Sequence, residues 1–198
     1  MQKTRLFDGA CLIFAYLTFY SKFYFPRINK DDILVIRKGM IDMNVAPTTV
    51  CNNILQRALE EHIDVTPMKL QKLLYFVSCE YIKKTNTPLF REEFEVWKYG
   101  PVLPSVYSVF SSYGKEPILS YAKDAKGISY IVDEDEAPAL KASIETIWQT
   151  FKNWNAVALS QITHREGSAW SYFYDRYENT IKSEMMKEDH TYEEFICA

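Results

Sequence analysis

"DVTPMKLQKLLYFVSCEYIKK", residues 64–84, is the stretch on which the fold turns. Thr66 offers a capping oxygen, and Pro67 suits the first helical position, where its missing N–H costs nothing. Leu70, Leu73, Leu74, Val77 and Tyr81 then recur at helical spacing as a wide apolar stripe. This is the strongest helix signal in the chain. The polar rows through Lys69, Lys72 and Glu80 are expected to face solvent or a partner.

Working outward, "TTVCNNILQRALEEH" places Val50, Ile54 and Ala58 beside Cys51, Leu55 and Leu59, which predicts a helix over about 48–61. Downstream, "FEVWKY" is short and extended, and Pro104 restarts a helix through Val106, Val109, Phe110 and Tyr113, closed by Gly114. "ILSYAKDAKGISYIV", residues 118–132, has β-favouring runs on both sides of a turn and predicts a β-hairpin. Asp133 to Glu136 are expected at the positive end of a following helix carrying Leu140, Ile144, Ile147, Trp148 and Phe151. Asn155 can cap a shorter helix, "AWSYFYDRY" looks helical, and "TYEE" at 191–194 has the form of a capping box. The expected fold is mainly α with one small β-hairpin, a single compact helical domain.

The bulk numbers agree. The chain has 198 residues, 47% of them apolar and 15% aromatic, enough for one well-packed core. A domain of this size buries roughly 70% of its unfolded surface. The net charge is −3 and the pI about 5.7, so no direct nucleic-acid binding is expected, since duplex binders cluster Lys and Arg. Cys11, Cys51, Cys79 and Cys197 lack C-x-x-C spacing, and the three histidines are far apart. That pattern predicts reduced thiols, no metal, no cofactor and a cytoplasmic protein.

Residues 1–42 differ from the rest. "ACLIFAYLTFYSKFYF", residues 10–25, is apolar for eleven residues before Ser21 and Lys22, short of the about 18 a membrane span needs. Bulky rings stand where a signal peptide would have a cleavage site. The segment contains no glutamate, and Arg37-Lys38-Gly39 can be encoded by a purine run resembling a ribosome-binding site upstream of Met43. The expectation is that 1–42 is a non-native or disordered extension and 43–198 the domain. A weak interfacial membrane anchor through residues 10–25 is the alternative. Residues 43–198 carry 16 Lys and Arg against 22 Asp and Glu, which favours a basic partner.

Chemistry has few places to live. Ser160 and His164 lie four apart, so on a helix they share a face, and a Ser–His pair can activate a nucleophile. No G-x-S-x-G motif and no orienting third group accompany them. The competing reading is that Thr163 and His164 form a hydrogen-bonded helix end. Glu92-Glu93 and the acids at 133–136 are acidic clusters without the ligand and glycine spacing of a calcium loop, and the four at 133–136 read as a solvated cap. No catalytic residue is assigned, and the chain is not expected to be an enzyme.

"WKYGPVLPSVY", residues 97–107, is different in kind. Pro101 and Pro104 stiffen it and Gly100 marks special backbone geometry. Trp97, Tyr99 and Tyr107 therefore lead into and out of a rigid corner. It either closes the core or grips another protein, since Trp and Tyr are favoured interface anchors.

Three blocks in order, "TPMKLQKLLYF", "FEVWKYGPVLPSVYSVF" and "LSQITHREGSAW", resemble the signatures of the Panacea-domain, SocA-like antitoxin family, also described as phage-associated proteins. The resemblance covers about residues 48–175, with its signature blocks at 66–107 and 159–170. It implies Lys69, Lys72, Tyr75, Trp97, Tyr99, Gly100, Pro101, Tyr107, Ser160, Thr163, His164 and Trp170 as signature or partner-binding positions. Many members carry proline before the last tryptophan, where this chain has Ala169. The family implies an antitoxin of a toxin–antitoxin or prophage-linked module that neutralises a cognate protein toxin by direct contact. An adaptor delivering a toxin to a protease is the alternative it offers.

Overall fold

A computed structural model describes residues 33–36 and 45–196. The expectations for residues 1–42 lie outside the described residues, apart from a short strand β1 at Ile33–Ile36. Then come α1 (Pro47–Glu60), α2 (Pro67–Thr85), β2 (Phe94–Trp97), β3 (Gly100–Val102) and α3 (Pro104–Phe110). β4 (Ser129–Val132), α4 (Pro138–Phe151), α5 (Ala156–Thr163), α6 (Ala169–Tyr174), β5 (Thr180–Ile181) and α7 (Ser183–Lys187) complete the order. The fold is mainly helical, as expected.

Helix α2 is the axle. Its start is the one the sequence specifies: Thr66 Oγ1 accepts from Lys69 N at 3.3 Å, and Pro67 follows the cap. Asn155 and Ser168 cap α5 and α6 in the same way. Every residue of α2 from Lys69 to Glu80 is buried, because α1, α3, α4, α5, α7 and β3 surround the helix. Phe76 stacks on Phe151 of α4 and packs against Tyr192, with centroids at 5.3 and 4.9 Å.

Of the expectation that the rows through Lys69, Lys72 and Glu80 face solvent or a partner, the solvent half is therefore overturned: all three are buried. An apolar stripe reports the best-buried face, not how many neighbours a helix has. Each of these side chains meets a partner, as buried polar groups must. Lys69 Nζ donates to the carbonyls of Asp64 and Lys152. Glu80 accepts from the Tyr192 hydroxyl at 2.9 Å and from Lys84.

The hairpin is present, but not at 118–132. β2 and β3 form it, with Trp97 opposite Gly100 and Lys98-Tyr99 as the turn, and β5 pairs with the other edge of β2. In residues 118–132 only β4 is a strand, and its partner is β1, in parallel. The residues before it stay irregular because a side chain supplies their hydrogen bonds. Asn52 of α1 donates to the carbonyls of Ala122 and Tyr130 and accepts from Ala122 N. Asn53 holds both backbone groups of Val132.

Two further expectations change. The acids at 133–136 precede α4 without lying in its first turn, and Glu134 is instead clamped by Arg57 of α1 at 2.5 and 2.7 Å. "TYEE" begins no α-helix: Thr191 Oγ1 turns back to Asp189 at 2.7 Å, and only a single 3₁₀ turn follows at Glu193–Phe195. β5 and α7 carry too little periodicity to be read from sequence.

Asn52→Ala would strand three backbone groups at once. Urea unfolding should show a loss of about 2–3 kcal/mol with an unchanged m-value.

Candidate functional site

Four alternate carbonyls of the segment 97–103 are each held by a side chain from the helices behind it. Trp170 Nε1 of α6 donates to Trp97 O at 3.0 Å, and Ser160 Oγ of α5 to Tyr99 O at 2.9 Å. Lys72 Nζ donates to Pro101 O at 2.9 Å. Gln71 takes both backbone groups of Leu103, its N at 2.9 Å and its O at 3.2 Å. The spacing of two is that of an extended chain, which shows every second carbonyl to one side. Three helices thus fix the corner from behind.

Gly100 is needed for two reasons. Its φ of +100° is one that side chains rarely adopt. A Cβ there would lie 2.6 Å from Thr163 Oγ1 and 2.8 Å from Lys72 Nζ. Thr163 Oγ1 donates to Ser160 O, and Ser168 Oγ to Thr163 O, so the end of α5 is locked where it meets the glycine.

The outward side of the corner is aromatic. Trp97 and Tyr107 pack at 4.9 Å, and the Trp97 indole N–H donates to Glu95 at 2.6 Å. Tyr99 and Tyr107 remain 61% and 47% exposed. Between them and α2 runs a groove of about 420 Å³, lined among others by Gln71, Lys72, Trp97, Tyr99, Val106 and Tyr107.

His164 ends α5 through its backbone N–H. Its imidazole is exposed and stacks on Trp170 at 4.0 Å, and Tyr174 stacks on the same indole at 4.4 Å. Partial burial first, and then the charge of Lys72, hold the imidazole pKa below its ordinary value. Ser160 spends its hydroxyl on Tyr99 O, so the nucleophile reading has no support in this geometry. Among the described residues no group of three or more His, Cys, Asp or Glu could hold a metal ion.

The structure gathers Lys72, Trp97, Tyr99, Gly100, Pro101, Tyr107, Ser160, Thr163, His164 and Trp170 around this corner. Lys69 and Tyr75 go elsewhere. Lys69 lines a neighbouring groove with Lys152 and Trp154. Tyr75 is buried and donates to Asp189 Oδ2 at 2.7 Å. Asp189, which no sequence pattern singles out, also accepts from Ala169 N at 3.2 Å, a contact that a proline at 169 would delete. Gln71 is equally silent in the sequence, since one glutamine in an apolar run carries no signal of what it will bind.

Comparison with known proteins points one way. The family described as "Antitoxin SocA-like, Panacea domain" matches residues 70–171, which include the corner and all four side chains that hold it. The antitoxin SocA of Caulobacter vibrioides (strain NA1000 / CB15N) is 33% identical over 130 residues, covering 64% of this chain and 69% of that protein. No solved structure matches the chain.

Gly100→Ala should lower stability by more than about 1 kcal/mol from backbone strain alone, with the close contacts adding to it, and calorimetry will show a reduced Tm. Lys72 gives a pH signature. Burial pushes its amine down to about 7 from an ordinary 10.5, so above pH 7 the unfolded chain holds more protons than the folded one. Stability should therefore rise with pH, at up to about 1.4 kcal/mol per unit. The clean window is from pH 7 to about 8.5, because the buried thiols of Cys51 and Cys79 and the phenols of Tyr75 and Tyr192, all pushed up by burial, oppose the trend above it. Lys72→Met should remove this slope in urea titrations at stepped pH.

Proposed function

The chain belongs to the SocA-like, Panacea-domain antitoxin family, and from that premise we propose that it neutralises a cognate protein toxin by direct, stoichiometric binding. Membership makes it a binding protein and not an enzyme. It docks on the toxin through the aromatic corner and occludes the toxin's working surface. The observation that carries this reading is the exposure of Tyr99 and Tyr107 on a segment whose backbone is fixed from behind by four side chains. Binding by a pre-formed surface spends less on ordering, and tyrosine adds large contact area at small entropy cost.

The proposed place of action is the cytoplasm, with no nucleic-acid contact. Among the described residues no helix is long and apolar enough to cross a membrane. The adaptor reading shares the docking step and differs only in the fate of the bound toxin, which is then degraded.

Co-expression with the adjacent gene is the test. Growth should be restored and the two chains should co-purify. Unrelieved toxicity with no complex overturns the proposal, and protease-dependent disappearance of the toxin selects the adaptor. Tyr99→Ala with Tyr107→Ala should weaken the complex by about tenfold or more and lower the Tm of the free chain by only a few degrees, the cost of the lost Trp97–Tyr107 ring pair.

A further inference from the structure

Lys72 is 1% exposed. A buried ammonium is costly unless a counter-charge repays its lost hydration. Arg57 is paired with Glu134, Glu80 receives Lys84 and the Tyr192 hydroxyl, and Lys69 spends two N–H groups on carbonyls with the charge of Asp64 nearby. No carboxylate pairs with Lys72 among the described residues, and burial lowers its proton affinity. Its hydrogen bond to Pro101 O uses one of three N–H groups. A neutral donor would hold a carbonyl more cheaply, as Gln71 does for Leu103 one position away.

The groove supplies an independent observation. Lys72 lines it and so does Lys98, whose Nζ lies 5.4 Å from the Tyr99 ring centroid. Among the described residues no Asp or Glu lines it. The rest of the lining is apolar or neutral and includes the rings of Trp97, Tyr99 and Tyr107. Its volume, about 420 Å³, falls in the range of sites that take a drug-sized group. The neighbouring groove differs: it contains Asp64, its Lys152 is paired with Glu61, and its Lys69 is engaged by two carbonyls.

We propose that the groove receives a segment of the protein partner in which an apolar side chain stands beside a carboxylate. The carboxylate completes the coordination of Lys72, with Lys98 adding charge at the rim, and the apolar group lies against the rings of Trp97, Tyr99 and Tyr107. This deepens, and rests on, the reading of the corner as a docking surface. It is compatible with a net acidic chain, because the field of exposed charges is screened beyond about 8 Å in physiological salt. Net charge therefore says little about one contact inside the groove, and a partner that is basic overall still presents single carboxylates.

The test needs no toxin, so its failure is separate from failure of the neutralisation reading. Isotope-labelled full-length chain is titrated with N-acetyl-phenylalanine, which carries a ring beside a carboxylate, and with its uncharged amide. The acid should bind at least about tenfold more tightly than the amide, with saturable NMR shifts at Gly100 and Tyr107. The Lys72 side-chain titration should move to higher pH, since a carboxylate favours the ammonium form. Equal binding of acid and amide, absence of saturable shifts, or a Lys72 titration driven further down would each overturn the proposal. Lys72→Met should abolish the preference for the acid. If that variant does not fold, Lys98→Met, which should reduce the preference, and the wild-type Lys72 titration carry the decision.

Discussion

The structure depends on a helix buried on all sides that nevertheless carries polar side chains. A helix in that position would ordinarily be apolar all round. Helix α2 instead places Lys69, Gln71, Lys72, Ser78 and Glu80 among its buried residues. Each must find a partner inside, where an unmade hydrogen bond costs more than a made one gains. The partners are largely main-chain carbonyls of irregular or extended segments, so the polar residues of α2 specify which segments pack against it and in what register.

The aromatic corner arises from that constraint. Lys72 and Gln71 fix its base, while Ser160 and Trp170 fix its tip and entry. The prolines stiffen the segment locally, but only these four side chains fix it against the helices behind. Rigidity is what lets exposed tyrosines serve as anchors, because little freedom remains to be lost on binding. The same lysine that braces the corner also lines the groove beside it, which couples the packing of the core to the chemistry of the surface.

The other end of α2 repeats the device. Asp189 gathers the Tyr75 hydroxyl, Ala169 N and both donors of Thr191, and Lys83 reaches Asp189 O at 2.5 Å and the Tyr192 hydroxyl at 2.9 Å. The residues around 189–193 are thereby tied to the central helix. Asn52 and Asn53 do the same for the segment before and through β4. Side-chain amides and carboxylates take the place of the longer β-ladder that the composition of 118–132 suggests.

What the sequence determined by itself was local. Thr66-Pro67, Asn155 and Pro104 set where helices begin, the apolar spacing of 70–81 made α2, and the prolines around Gly100 made the corner stiff. The three ordered blocks were enough to identify the family. What only the tertiary structure decided was the environment of the polar residues. Lys72 looks like any surface lysine until α5 and β3 close over it. The 118–132 run looks like a hairpin until Asn52, seventy residues upstream of Ala122, satisfies its backbone. The physical reason is range: propensity and capping act over a few residues, whereas burial and long-range hydrogen bonding depend on which distant segments the packed core brings together.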